Sequence, residues 1–510
     1  MTRRYQRKHS REQLGLFPEA LDERIRDDNP VRAIDAYVDT LDLVSLDFTN
    51  VTSSSNRGQP PFDPASLLKL YLYGYMNGVR SSRKLEKECQ RNLEVIWLME
   101  KQQPSYKTIA NFRKDNPEAM VKVNRDFLLL CRSLNLVSQD LVAIDGSFFQ
   151  GNASLKSIRT HKGLRDQIRK LEERIRQYHE SLDAEDQDES QHSTDGALPD
   201  KLKRLLDEKA RVDQALQTLE SSDERQLSDT DPDARRLFKN GQKTAGYNVQ
   251  VAVEEDNQLI VASDVTNDAN DQRQLHSMAS QAKDALEADQ LTVLSDAGYF
   301  EQSNIKQCQD DDILPYVPEP NKQRVIKDAG RYGREDFIYD SEADCYRCPA
   351  GKFLSKTGQG QRKNNKLRNK YTSTKADCDQ CPLRQHCLAS KSRTRQIYRW
   401  EHEDRLDEHR QRMEAEGPVR MRQRAALVEH VFGTLKTRMG WTHFLVRGFR
   451  KVRGEWSLAV VGYNLTRVLN ILGTSVFLRF CEYLTELILY LLFWIGRCYR
   501  PIPNDQRVSC

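Results

Sequence analysis

The chain has 510 residues, more than a single domain usually contains, so its length predicts two to four structural units. Hydrophobic residues make up 38% and charged residues 30%, with a mean hydropathy of −0.75. This balance is typical of soluble proteins with long exposed helices or linkers, and it argues against a membrane-resident protein.

The net charge of +4 hides a segregation of charge along the chain. Between Gly351 and Trp400 there are thirteen Lys or Arg and two Asp, whereas residues 183–200 hold seven acids and no Lys or Arg. Such basic density suits a polyanion, with nucleic acid first in line. The alternative is a solvated, flexible basic loop.

The first 137 residues predict a helical DNA-binding domain (1–137). Asp63 is a candidate N-cap with Pro64 at the first helical position, and a second helix is expected within RSSRKLEKEC. A third is expected near PSYKTIANFRKDN, capped by Ser105 or Thr108. Short helices with a basic segment resemble helix-turn-helix DNA binders, although an ordinary bundle with basic surfaces gives the same pattern. The predicted DNA-contacting residues on the third helix are Lys107, Arg113 and Lys114.

An α/β core is predicted over residues 138–470. It begins with the strand LVAIDGSFF and resumes with the hairpin YNVQVAVEED and NQLIVASDVT, then helix, strand (LTVLSDAGYF), helix and strand (ILPYVPEP). Residues 155–235 interrupt it with apolar side chains spaced three and four apart on either side of the acidic stretch. We expect an inserted helical hairpin there, joined by a disordered linker.

Three carboxylates are candidates for catalysis. Asp145 and Asp296 are each expected to close a strand, before the small residues Gly146 and Ala297, and strand ends are where ligands gather in α/β sheets. Gly146 is expected to leave room for a phosphate. Glu429 is the only acid from Gly417 to Gly454, among many arginines and lysines.

Three converging carboxylates need cations between them, and Mg²⁺ prefers such oxygens, so the set indicates metal-assisted phosphoryl transfer. Alternatives remain open for each acid. Asp145 or Asp296 alone could cap a turn, and Glu429 could pair with Lys436. Three further acids compete for the same role: Asp264, Asp268 and Asp271.

Together these motifs resemble insertion-sequence transposases of the DDE type, from about Phe62 to Asn470. The resembling segments are LYGYMNGVRSSRKLEKECQRNLEVIWLM, AIDGSFFQGNAS, YNVQVAVEEDNQLIVASDVTNDANDQRQLH, LSDAGYF and VEHVFGTLKTRMGW. The resemblance implies a ribonuclease H-like mixed-sheet core and Mg²⁺ or Mn²⁺ at Asp145, Asp296 and Glu429. It further implies cleavage at terminal inverted repeats and transfer of 3′-hydroxyl ends to target DNA.

In that family a lysine at the position of Lys436 holds DNA phosphate. Where related branches place a Tyr and an Arg before the glutamate, this chain has Arg422 and Ala425, with Arg424 the nearest arginine. We therefore expect Arg424, Lys436 and Arg438 to contact double-stranded DNA, and paired-end chemistry implies a homodimer or larger assembly. A catalytically silent DNA-binding protein of transposon descent and a stand-alone metal-dependent nuclease remain alternatives.

Cysteines mark a basic insertion at residues 340–395. Two Cys-x₂-Cys pairs and one further cysteine predict a structural Zn²⁺ site, although the 29 residues between the pairs exceed the usual spacing. The resemblance implies four ligands that leave Cys345 spare, and the alternative is free thiols in a basic loop. The candidate cysteines are Cys345, Cys348, Cys378, Cys381 and Cys387.

The two ends of the chain bear on its location. The beginning, MTRRYQRKHSREQLG, has no apolar core of a signal peptide, so a cytoplasmic, nucleoid-associated protein with reduced cysteines is expected. Residues 471–510 are predicted to form an apolar helix and tail. Arg479, Glu482 and Glu486 interrupt it, leaving an uncharged run of about ten residues where a span needs about 18. A buried or partner-facing helix is the expectation, with a membrane anchor as the alternative.

Overall fold

The chain is described from a computed structural model, which covers residues 20–51, 60–187, 197–222, 224–239, 241–320, 330–358, 360–363, 366–389 and 391–498. Three sequence predictions concern residues outside these ranges. They are the basic amino-terminal stretch, the central part of the acidic linker (residues 188–196) and the end of the carboxyl-terminal tail (residues 499–510).

Six helices form the amino-terminal region. Side-chain oxygens of Asn29, Asp63 and Ser105 each accept a backbone N–H two or three residues further on, which satisfies donors that a helix start leaves free. The predicted caps at Asp63 and Ser105 are thereby confirmed. The helices are α1 (Pro30–Asp39), α2 (Pro64–Met76), α3 (Ser82–Arg91), α4 (Leu93–Leu98), α5 (Tyr106–Asp115) and α6 (Pro117–Ser133).

A helical hairpin follows the first strand of the core, β1 (Leu141–Gln150). Its two long helices pack along each other through apolar side chains at the spacings read from the sequence, and two short strands pair antiparallel at its base. The elements are β2 (Ile158–Thr160), α7 (His161–Gln187), α8 (Ala197–Glu220) and β3 (Gln226–Ser228). The buried contacts are Leu164, Leu171, Leu205, Val212 and Leu219.

The central sheet is mixed. Its strand order is β4-β5-β1-β7-β8, and β6 pairs with β5; β7 and β8 run parallel to β1, whereas β5 runs antiparallel to it. The β5–β6 pairing confirms the predicted hairpin. The elements are β4 (Arg235–Lys239), β5 (Gln242–Glu254), β6 (Ile260–Thr266), α9 (Leu275–Leu286), β7 (Leu291–Leu294), α10 (Gln302–Asp310) and β8 (Ile313–Tyr316).

The prediction that β1 ends at Asp145 is wrong. The strand continues to Gln150 because β5 pairs with it without interruption, from Val142 opposite Glu254 to Gln150 opposite Gly246. The parallel pairing with β7, however, stops at Ala143 opposite Leu294. Asp145 therefore lies in mid-strand but just beyond the end of the parallel ladder.

The two faces of the sheet pack against different layers. Leu141 and Ala143 of β1 join a core shared with the amino-terminal helices, while Val142 and Ile144 join the core formed with α9 and α10. Alternate residues of a strand face opposite sides, so burial on both faces makes β1 apolar throughout its first half.

A second, smaller sheet occupies the basic cysteine-rich section. Its order is β12-β13-β11-β10-β9, with β14 paired to β13, and its five-residue core consists of Phe337, Tyr346, Leu354, Tyr371 and Ile397. The elements are β9 (Ile338–Asp340), β10 (Cys345–Arg347), β11 (Phe353–Lys356), β12 (Gln361–Lys363), β13 (Lys366–Ser373), α11 (Lys375–Asp379), α12 (Arg384–Cys387) and β14 (Gln396–Trp400).

Four helices complete the described chain: α13 (Glu403–Ala415), α14 (Gly417–Gly433), α15 (Phe449–Leu472) and α16 (Thr474–Cys498). A π-helical segment, Thr434–Arg438, continues α14. Helix α14 packs on β1, and α15 packs on α2 and α6. The carboxyl-terminal helices thus bring the amino-terminal region onto the sheet.

Arg113 belongs to this junction, and the prediction that it contacts DNA is wrong. It is 5% exposed, and its Nη1 lies 3.3 Å from Glu455 Oε1 on α15. Arg80 pairs with the same fully buried carboxylate, at 3.3 Å, and Tyr75 donates its hydroxyl to it at 3.2 Å. A buried acid needs such partners, which explains why two arginines of a basic region point inwards.

Helix α16 is only half-covered. Phe477 and Cys481 are buried, whereas Tyr483 and Tyr490 are about 60% exposed. Of the helices within the described ranges, none combines the length and apolarity that crossing a bilayer requires.

Candidate active site

Two of the three predicted acids meet at the end of the parallel β1–β7 ladder. Asp145 lies on β1, and Asp296 caps a short 3₁₀ turn after β7, accepting the N–H of Gly298 at 2.8 Å. Parallel neighbouring strands bring their carboxyl ends to the same edge of the sheet. Strand order therefore places these carboxylates side by side although most of the core separates them in sequence.

An arginine joins the pair. Arg424 Nη2, on α14, lies 2.9 Å from Asp145 Oδ1 and 3.8 Å from Asp296 Oδ2, and the Arg424 side chain is 15% exposed. Its buried Nε has no hydrogen-bond partner within the described residues. Arg424 was predicted to contact DNA, and instead its guanidinium occupies the point on which the two acids converge.

Burial and charge act against each other at Asp145. Desolvation raises the pKa of its carboxyl, and the Arg424 guanidinium opposes that rise. The phenol of Tyr299, buried nearby, has a pKa well above its ordinary value because it is desolvated and faces Asp271, Asp145 and Asp296. The site is thus rich in negative charge that one arginine only partly offsets.

Glu429 does not form a metal-holding group with the two aspartates in the described part of the chain. It lies on α14 between Arg424 and Lys436, whose side chains both reach β1, and it is exposed. The Glu429–Lys436 ion pair weighed as an alternative is absent from the described part of the chain. Lys436 Nζ instead donates to Ser147 Oγ at 2.6 Å.

Lys436 is half-buried beside Phe149, with its Nζ 4.7 Å from the ring centroid. Burial and the neighbouring Lys239 lower its pKa, and Asp145 offsets part of that effect. The remaining predicted DNA contacts, Lys107, Lys114 and Arg438, are exposed on the surface.

Gly146 does not leave space for a phosphate, contrary to the sequence prediction. A Cβ at this position would lie 2.9 Å from Asp271 Oδ1 and would overlap the Gln250 side-chain amide. The glycine is required because two buried polar side chains pack directly on the backbone beside Asp145.

Asp271 is the site residue whose role the sequence left unresolved. It was one of three competing acids, and it is 8% exposed next to Asp145 and Asp296. Asn248 and Gln250 on β5 both donate to its Oδ1 at 2.7 Å. The signal available in the sequence for this acid was the pair of amides, Asn248 and Gln250, at alternate positions of an otherwise apolar strand.

The cysteines separate into a group of four and one outlier. Four of them line one small cavity of about 30 Å³, together with Lys352, Arg384 and Arg395, while Cys345 is buried on β10 away from it. The four are Cys348, Cys378, Cys381 and Cys387. Burial raises the pKa of the Cys387 thiol, and so do the other three sulfurs, whereas Arg395 lowers it.

Neither the two aspartates nor the four cysteines are arranged so as to coordinate a metal ion. Across the described ranges, no three His, Cys, Asp or Glu side chains are arranged so as to hold one metal ion. The donor chemistry nevertheless fits. The Asp145–Asp296 pair presents oxygens to one shared cation, and the backbone N–H of Lys352 donates to Cys348 Sγ at 3.3 Å, as a thiolate ligand would require.

Comparison with known proteins gives two family matches. Residues 19–115 match the transposase domain of the DUF772 family, and residues 347–469 match a transposase DDE domain. The second match includes Arg424, Glu429 and Lys436 but neither aspartate. No curated protein shows significant sequence similarity to the chain.

Among solved structures, a piggyBac transposase synaptic complex with hairpin DNA aligns over 95% of this chain and 87% of that chain. The sequence identity is 8% and the TM-score is 0.36, so this likeness assigns neither fold nor function. Both family matches are to transposase domains, one of them of the DDE type, and together they support a DDE-type transposase.

Proposed function

We propose that the chain binds the terminal inverted repeats of an insertion sequence, cleaves phosphodiester bonds there and joins the freed 3′-hydroxyl ends to target DNA. The observation that carries this proposal is the convergence of Asp145 and Asp296 on one positive centre, the Arg424 guanidinium. Two adjacent carboxylates repel unless a cation lies between them, which is the electrostatic condition of a metal-dependent phosphoryl-transfer site.

The strand order supports a ribonuclease H-like core for this chemistry. Counting β1, β5, β6, β7 and β8 as the five strands, the sheet is antiparallel on one side of β1 and parallel on the other. Both aspartates lie where the parallel pairing ends, on the edge open to a ligand.

Asp145 and Asp296 would hold the divalent cation, and Glu429 would join them when DNA is bound. Mg²⁺ or Mn²⁺ at this position would supply Lewis-acid stabilisation of charge on the phosphate oxygens. Glu429 lies on α14 between two residues that already contact β1 or Asp145, so the helix passes directly over the site. Lys436, fixed by Ser147 beside Asp145, holds the phosphate next to the cleaved bond.

DNA is bound by exposed cations from three parts of the chain. Lys107 and Lys114 lie on α5, Arg438 ends the π-helical segment, and the small sheet carries the basic section of residues 351–400. Phosphate contacts of this kind release counterions, so affinity falls steeply with salt. Processing two ends of one element requires two copies, so the active species is a homodimer or larger.

The four clustered thiols bind one structural Zn²⁺. Tetrahedral zinc takes four thiolates at about 2.3 Å, and the cavity between Cys348, Cys378, Cys381 and Cys387 is small enough for the sulfurs to close on an ion. The core cluster of the small sheet contains five buried hydrophobic residues among those that the structure describes, so it is the kind of unit that metal stabilises.

Strand transfer tests the proposed function. Purified protein is incubated with Mg²⁺, supercoiled plasmid and a duplex carrying the inverted repeats that flank its gene, and the products are resolved by size. We expect nicked ends and a joined product that both disappear with EDTA. Nicks without joining would identify a stand-alone nuclease, and salt-dependent binding without nicking would identify a silent DNA-binding protein.

A further inference from the structure

The small sheet has one face that its own core does not use. Leu354 on β11 and Ile397 on β14 are buried in that core. Alternate residues of a strand face opposite sides, so their neighbours Phe353 and Tyr398 face outwards. Ile338 on β9 shares this outward side through the register of β9, β10 and β11. The three outward side chains are 55%, 41% and 59% exposed in that order, and large apolar side chains exposed together mark an interaction site.

Two cations lie on the same side of the sheet, between these apolar side chains. Arg347 on β10 lies opposite Ile338 on one neighbouring strand and opposite Phe353 on the other. Lys370 on β13 lies opposite Tyr398. The Cβ atoms of directly opposite residues are about 4.5–5.5 Å apart, so each cation is within reach of an exposed ring. We call these five residues the outer face.

The two cations of the outer face have no counter-ion. Lys356 and Arg399, elsewhere on the same sheet, lie 3.2 Å and 2.8 Å from aspartate oxygens. No carboxylate within the described ranges forms such a pair with Arg347 or Lys370. Residues 351–400 also hold thirteen Lys or Arg against two Asp. The outer face therefore offers uncompensated positive charge to a polyanion.

The exposed rings distinguish between the two forms that a DNA polyanion can take. In a duplex the bases stack on one another and the phosphates lie outside, so cations suffice for binding. Unpaired bases have free faces, and proteins that bind single strands combine a positively charged surface with aromatic side chains on which those bases stack. Rings interleaved with cations therefore favour a single strand over a duplex.

We propose that the outer face of the small sheet binds single-stranded DNA. Phe353 and Tyr398 stack on unpaired bases, and Arg347 and Lys370 contact the phosphates between them. This binding site goes beyond the proposed function, because it requires neither a divalent cation nor the cleavage and joining of strands.

Binding of an oligothymidylate in the presence of EDTA tests the assignment. A labelled strand of about 16 nucleotides, the upper site size of one single-strand-binding fold, is titrated with the full chain and followed by fluorescence anisotropy, beside a duplex of the same length. Phe353→Ala and Tyr398→Ala should each weaken single-strand binding at least about fivefold and leave duplex binding unchanged. Tyr483→Ala, which removes an exposed tyrosine from α16, is the matched control and should bind both as the wild type does.

Salt dependence separates the cations from the rings. Arg347→Gln should lower the slope of log affinity against log salt by about 0.7, the value of one phosphate contact to a single strand, and Phe353→Ala should leave that slope unchanged. Unchanged single-strand affinity in both ring variants would overturn the inference, and so would an equal loss for strand and duplex.

A second copy of the chain is the other occupant that exposed rings could bind. In that case the ring variants would change the sedimentation coefficient and would bind the oligothymidylate normally, which also overturns the inference. None of these outcomes affects the Mg²⁺-dependent strand-transfer assay, so this site and the proposed function can fail independently.

Discussion

The carboxylate site and the cysteine pocket are built in opposite ways. Asp145 and Asp296 come from distant parts of the chain, and the sheet's hydrogen-bonded ladders place them together before any ligand arrives. The four cysteines lie on turns and short helices of a small sheet with a five-residue core. The first site is held by the fold around it, whereas the second, if it binds the proposed zinc, would depend on its ligand to hold the fold.

The carboxylate site and the cysteine pocket also differ in how their charges are compensated. Arg424 offsets part of the charge of the aspartates without any ion. At the cysteine pocket, burial raises the pKa of the Cys387 thiol and Arg395 opposes that rise. The carboxylate site, which would do the chemistry, is thus preorganised. The cysteine pocket, which would support structure, would be ordered by its ligand.

The largest expected effect is on the cysteine pocket. Cys378→Ser removes one of four zinc ligands, and zinc binding contributes roughly 10–16 kcal/mol to folding in small zinc units. We expect bound zinc, measured by atomic absorption, to fall from one ion per chain to none, with rapid proteolysis within residues 330–400. Cys345→Ser is the matched control and should retain both zinc and resistance. Equal loss in the two variants would show that Cys345 is also a ligand.

A smaller effect is expected at the junction that supports the carboxylate site. Glu455 accepts two arginines, Tyr75 and the N–H groups of Leu445 and Val446 while fully buried. Glu455→Gln leaves both arginines without a counter-ion and should cost about 3–5 kcal/mol in urea unfolding.

The control for that measurement is Glu118→Gln. Glu118 forms an ion pair with Arg450 in which both side chains are more than half exposed, so its loss should cost less than about 1 kcal/mol. Similar costs for the two variants would mean that the buried network does not hold the amino-terminal helices on the sheet.

Replacing Arg424 tests whether its guanidinium competes with a divalent cation for the two aspartates. Arg424→Gln removes the charge that competes with a divalent cation, so Mn²⁺ affinity measured by calorimetry should rise about threefold to tenfold, which is about 0.7–1.4 kcal/mol. Arg422→Gln, on the exposed side of the same helix, should leave affinity unchanged. Weaker Mn²⁺ binding in Arg424→Gln would show that the guanidinium supports the cation site instead of competing for it.

The two sites should also differ in the pH dependence of their metal binding. The ordinary pKa of a thiol is 9.0 and burial raises the pKa of Cys387, so zinc must displace protons from the thiols at neutral pH. The ordinary pKa of an aspartate is only 3.8. Lowering the pH from 8 to 6 should weaken zinc binding by more than about tenfold per unit, and Mn²⁺ binding by less. Parallel loss of both in competition titrations would contradict thiolate ligation.

Much of the scaffold was predictable, because caps, apolar spacing and strand order are local signals. Asp63, Ser105, the β5–β6 hairpin and the apolar faces of α7 and α8 all follow from residues within a few positions. The proximity of Asp145 and Asp296 followed from one general rule about parallel strands.

The directions of charged side chains were not predictable. Arg113 belongs to a basic segment in the sequence, yet it pairs with Glu455, 342 residues away. Arg424 turns to the aspartates for the same kind of reason, and Asp271 is held by two amides on another strand. Such partners are set by tertiary contacts that sequence spacing does not encode.

The central claim is that Asp145 and Asp296 carry the cleavage chemistry. Its most direct test is Mg²⁺-dependent nicking of an inverted-repeat duplex by Asp145→Asn and Asp296→Asn, with Asp264→Asn, an acid on β6 paired with Arg453, as the control. We predict at least about a thousandfold loss in the first two variants, or about 4 kcal/mol of transition-state stabilisation, and near-normal nicking in the third. Near-normal nicking by Asp145→Asn or Asp296→Asn, with DNA binding retained, would contradict the account.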